Sequence, residues 1–93
     1  MEIIKLLKRT TRNRVEFIRD LVALLQSREL SSNEVFFKDA VDELYRALRE
    51  EVVERGRKEL ADAYEKAVVL RALVMEEDIL PEKLLYEILE ELR

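Results

Sequence analysis

Cysteine, histidine and tryptophan are absent, and glycine and proline occur once each, as Gly56 and Pro81. Without cysteine there are no disulfides, no thiolate nucleophile and no zinc–cysteine site, and the redox compartment is left undecided. Without histidine the commonest metal ligand and the commonest general base are missing. The serines, Ser27, Ser31 and Ser32, therefore have no imidazole to activate them, and no nucleophile–base pair can be assembled. A non-enzymatic chain without cofactor or metal is expected. Long apolar runs are lacking too. The longest, Leu21 to Leu25, is closed by Gln26, too short to span a membrane, and Met1-Glu2-Ile3-Ile4-Lys5 has no signal-peptide pattern. The expectation is a soluble, cytoplasmic protein.

What fills the chain instead is charge: 41% of the 93 residues are charged, far above the usual quarter, beside an ordinary 48% hydrophobic content. Asparagine and glutamine are scarce, represented by Asn13, Asn33 and Gln26. That balance suits a thermostable chain, from a hyperthermophile or designed. The length allows one domain, residues 1–93, hiding about 60–65% of its unfolded surface.

Apolar residues recur at three- and four-residue spacing almost throughout, and no alternating strand pattern exists, so an all-α bundle of three to four helices is expected. Ser31 and Glu34 have the spacing of a capping box, which places one helix end near Glu29 and the next start near Ser32. Pro81 fits the first turn of a helix better than its interior, so a last helix runs from about Pro81 to Leu92.

Gly56 divides two readings. As a left-handed C-cap it would close a hairpin, but Arg57-Lys58-Glu59 offers no N-cap former for the following helix. The alternative is one long central helix over about 33–77, continuous or kinked at Gly56. Val41, Leu44, Leu48, Val52, Gly56, Leu60, Ala63, Ala67, Leu70 and Val74 advance by threes and fours, at about 3.67 residues per step. This phase favours the long helix. Such a helix is roughly 67 Å long, more than the rest of a 93-residue chain can cover. A homodimer is therefore expected, with its interface at Val52, Gly56, Leu60, Ala63 and Ala67.

The first helix carries a basic stripe of Lys5, Lys8, Arg9, Arg12 and Arg19 opposite Ile4, Leu7, Ile18, Leu21 and Leu25. Such a stripe offers phosphate contacts, with Thr10, Thr11 and Asn13 as further donors. The net charge of −4 and the absence of a stacking or readout element weigh against nucleic acid. A solvated face is the plainer reading. Arg14 points into the apolar arc of that wheel. Either it pairs with a carboxylate, or the helix breaks before it, with Asn13 as N-cap and Glu16 closing a variant capping box. Arg71, inside Ala67 to Met75, calls for an ion pair or a ligand carboxylate. Phe36 and Phe37 point about 100° apart, so that one can enter the core and the second is left near the surface, as a staple under the preceding loop or, less favoured, a binding hot spot.

Glu50-Glu51-x-x-Glu54 followed by Glu59-x-x-Asp62 resembles the paired acidic motifs of the all-helical pyrophosphohydrolases related to MazG, which hold magnesium between two helices. In that family a longer spacer folds the second motif back against the first. Here only residues 55–58 separate them, too few to present two facing walls. The acidic run reads as surface pairing at i,i+4, Glu54 with Lys58 and Asp62 with Lys66. The reading that agrees with all these features is a non-enzymatic helical oligomerisation, scaffold or adaptor protein, with a nucleic-acid-associated helical protein as the alternative.

Overall fold

A computed structural model describes residues 2–26, 34–77, 79 and 81–92. Among them helix is the sole repeating structure, in five α-helices rather than three or four. α1 (Glu2–Thr10) stops where two threonines turn back on it: Thr10 Oγ1 donates to the Leu6 carbonyl at 3.0 Å and Thr11 Oγ1 to that of Leu7 at 2.7 Å. Asn13 Oδ1 then accepts from the Glu16 amide at 2.9 Å, which caps α2 (Arg14–Gln26). The break before Arg14 is thus made by its own capping residue. α2 buries Phe17, Ile18, Leu21, Val22 and Leu25, the i, i+1, i+4, i+5, i+8 stripe of an amphipathic helix.

The Ser31–Glu34 box and the side chain of Phe36 lie outside the described residues. α3 spans Glu34–Arg49, with Phe37, Ala40, Val41, Leu44, Ala47 and Leu48 buried. It widens into a π-helical turn over Glu50–Glu54, where the Arg55 amide reaches the Glu50 carbonyl at 3.0 Å. Gly56 follows at φ +68°. The Arg57 amide closes back on the Glu51 carbonyl at 2.9 Å. This is a Schellman-like closure, one residue wider than usual because of the π winding. After a single 3₁₀ turn, Lys58–Leu60, the chain enters α4 (Ala61–Glu77).

The long central helix is not formed in this structure, therefore, and Gly56 is the left-handed residue of a hairpin. Its side of the chain is open, since a Cβ placed there would meet nothing within 4 Å. Two physical reasons explain the contrary phase. The apolar stripes of α3 and α4 face each other across a three-residue turn, so the turn interrupts the spacing without shifting it. The second helix needs no N-cap former, because a 3₁₀ turn, with the Leu60 amide on the Arg57 carbonyl at 3.2 Å, begins it instead.

α5 (Glu82–Glu91) starts after Pro81, whose φ of −80° suits its ring and whose carbonyl accepts from Leu84 and Leu85 at 3.0 and 3.2 Å. α3 packs most extensively on α4, with α2 and α5 laid against that pair and α1 on α2. The radius of gyration is 12.1 Å and the longest extent 34 Å. Leu60, Ala63 and Ala67 are buried inside this single chain and Val52 packs against the same core. The seam that called for a partner is closed by the chain folding back on itself.

Candidate functional site

The basic stripe is dispersed. The break at residues 11–13 rephases α2 relative to α1, so Arg19 no longer continues the line of Lys5, Lys8, Arg9 and Arg12. Arg19 instead donates to the Leu92 carbonyl at 3.1 Å and ties α2 to the end of α5. Lys8 lies 3.3 Å from a Glu43 oxygen and 5.9 Å from the Phe17 ring centre. Lys5, Arg9 and Arg12 are exposed.

Arg14 meets both expectations at once. It is the first residue of α2, and its Nη2 donates to Glu50 Oε2 at 2.8 Å, while its guanidinium carbon stands 5.4 Å from the Phe17 ring centre. The acidic run that resembled a metal site is taken up by arginines. Glu50 is shared between Arg14 and Arg55, the latter at 3.4 Å. Glu51 is fully buried, its oxygens 3.4 Å from Arg55 and 3.1 Å from Arg57, yet neither oxygen receives an aligned hydrogen bond. Glu54 and Lys58 fall on opposite sides of the Gly56 turn, where no i,i+4 helical relation exists. Among the described residues no group of three or more acidic side chains converges as a metal ion would need.

Arg71 forms an ion pair within the chain, Nε to Asp42 Oδ1 at 3.0 Å, and its guanidinium lies 5.0 Å from the Tyr45 ring centre. The Tyr45 and Tyr64 rings stand 6.0 Å apart. Desolvation, and then the bond to the Tyr45 hydroxyl, hold Tyr64 above the ordinary tyrosine value. Lys66 bonds Glu91 at 2.8 Å, and this bond raises the lysine above its ordinary value. These contacts clasp α4 to α3 on one side and to α5 on the other.

One face of α4 carries apolar side chains that no other helix among the described residues covers. Its buried side is Ala63, Ala67, Leu70 and Val74. On the opposite side Ala61, Glu65, Val68, Ala72 and Met75 advance by four, three, four and three, the spacing of a coiled-coil seam. Val68 is 42% exposed, its neighbour Val69 51%, and Ala72 is exposed as well. The sequence reading missed this second stripe because the first accounted for the helix. The signal was there in the unbroken apolar run Ala67 to Leu70, wider than one buried face requires. Comparison with protein-family models, curated proteins and solved structures gave no match, so the chain's own residues carry the functional reading. No helix among the described residues is long and apolar enough to cross a membrane.

Proposed function

We propose that the chain is a non-catalytic helical interaction module that self-associates through the outward face of α4. The observation that carries the reading is the coiled-coil spacing of Ala61, Val68, Ala72 and Met75 on the side of α4 away from its buried face, with Val68 and Ala72 exposed and Ala61 and Met75 half-buried. A seam with 3.5-residue periodicity fits another helix with the same periodicity. A second copy supplies one by two-fold symmetry, since an isologous contact needs no further surface. The alternation of valine and alanine is self-complementary: Val68 of one copy fills the space that Ala72 of the other leaves open. Glu65, within the same line, disfavours any register that brings two copies of itself together.

The face is small, which makes the association reversible and places it in the micromolar range rather than among obligate dimers. The arginine-rich junction of α1 and α2 serves the fold in this reading, since Arg14 and Arg19 are already engaged by Glu50 and Leu92. Sedimentation equilibrium of the wild type and of Val68→Glu tests it. The wild type is expected to dimerise at micromolar concentration and the variant to remain monomeric with unchanged helix content. A wild type monomeric at high micromolar concentration overturns it.

A further inference from the structure

The turn that closes the α3–α4 hairpin is made by backbone conformation rather than by packing. Gly56 is exposed at φ +68° with open space where a Cβ would stand. The backbone leaves α geometry on both sides of it, π before and 3₁₀ after, and Arg57 provides no side-chain cap for the second. Two side-chain contacts belong to the folded-back form alone, Arg57 Nε at 3.1 Å from Glu51 Oε2 and Arg55 Nη2 at 3.4 Å from Glu50 Oε1. In a straight α-helix residues five and six apart point about 140° and about 120° away from each other and do not meet. Arg55 and Glu51, four apart, stay neighbours in either form.

The apolar spacing from Val41 to Val74 nevertheless runs through Gly56 in one helical phase. The hairpin also pairs positions nearly equidistant from Gly56, as Asp42 with Arg71 and Tyr45 with Tyr64 show. A straightened helix would therefore present the same residues, in the same order, to an antiparallel copy of itself.

We propose that two copies exchange their α4–α5 segments by straightening at Gly56. Residues 58–92 of each copy take their hairpin positions on α1–α3 of the other, and the Asp42–Arg71 pair and the burial of Leu60, Ala63 and Ala67 are remade between chains. Residues 34–77 become one helix of roughly 66 Å. The two long helices cross near their glycines, where the missing Cβ lets the backbones approach. The exchange leaves the core composition unchanged. It gives up the Arg57–Glu51 and Arg55–Glu50 contacts and the left-handed residue, and gains continuous helix. A short turn with non-α backbone on both sides is the setting in which such swapping is expected. This mode does not use the outward face of α4 and stands apart from the association proposed above.

Gly56→Ala is the direct test, because alanine resists the left-handed conformation and favours helix. Each effect shifts the hinge toward the straight form, together by roughly tenfold or more. With two hinges per dimer, the dissociation constant is expected to fall roughly a hundredfold, whereas Gly56→Asn, which tolerates φ > 0, changes it little. Topology is read with Asp42→Cys/Arg71→Cys in this cysteine-free chain and a short bis-maleimide. Exchange gives cross-links between chains, and association through Val68 gives cross-links within a chain that Val68→Glu leaves untouched. Should Gly56→Ala not fold, the double-cysteine chain with Gly56 intact, refolded from urea at high micromolar concentration, is expected to give inter-chain cross-links. A monomeric Gly56→Ala, or cross-links confined to single chains in both preparations, overturns the proposal.

Discussion

Arg14 and Glu50, 36 positions apart, meet at 2.8 Å where the first residue of α2 touches the π-helical turn that ends α3. The contact joins the two places where α geometry is interrupted, the Thr11–Asn13 break and the approach to Gly56. Both side chains are about one-third exposed, so solvent screens the pair and it contributes about 1 kcal/mol. Arg14→Ala is expected to lower the unfolding free energy by that amount in urea. In a double-mutant cycle Glu50→Gln should still cost stability in the Arg14→Ala background, because Arg55 also holds Glu50. A fully additive cycle contradicts the contact.

The Asn13 cap makes a separate prediction. Asn13→Ala leaves the Glu16 amide without its partner and is expected to cost about 1 kcal/mol, whereas Asn13→Asp retains an acceptor at the positive end of α2 and costs little. Equal losses for the two variants, measured by denaturant midpoint, count against a cap at this position.

Glu51 is the one buried charged side chain among the described residues, and its two guanidinium partners are half exposed. Replacing the carboxylate by an apolar side chain removes its desolvation cost, so Glu51→Leu is expected to lie within about 1 kcal/mol of the wild type. Removing both partners by Arg55→Ala/Arg57→Ala strands the carboxylate. The expected loss is about 2 kcal/mol, below the value for a fully buried pair because water reaches both guanidiniums. The reverse order of the two variants contradicts the role assigned to Glu51.

Alkaline pH probes the clasps of α4. Tyr64 and Lys66 both titrate above their ordinary values in the folded chain. A folded-state value above the unfolded one gives stability that is fully present below the unfolded value and lost as pH rises through the folded one. Stability is therefore expected to hold up to about pH 10 and to decline above it. Tyr64→Phe and Lys66→Met should each flatten that decline, as followed by thermal unfolding against pH. An unchanged alkaline slope in both variants excludes these residues as its source.

Much of this architecture was legible from residue types. Pro81 marked the start of α5, and Asn13 with Glu16 marked the alternative break that the structure contains, because capping chemistry is local. Gly56 was not legible, since a hairpin whose two apolar stripes face each other preserves the phase of a straight helix. The absence of an N-cap former after it is explained by the 3₁₀ turn at Lys58–Leu60. The basic stripe was drawn on a wheel that assumed unbroken helix through residue 12, and the break there dispersed it. Arg71 was expected to need a partner, but the sequence does not say that Asp42, 29 positions away, stands opposite. The outward seam of α4 was hidden by the same wide apolar content that made the helix evident.

Self-association through α4 is tested most directly by isotope-filtered NMR on a one-to-one mixture of labelled and unlabelled chains. Contacts between chains are expected among the methyl groups of Val68, Ala72 and Met75, whereas contacts between chains among Leu44, Ala67 and Leu70, buried in the core, report the exchange of α4–α5 instead. Inter-chain contacts confined to that second set, or none at all at high micromolar concentration, contradict the outward face of α4 as the site of association.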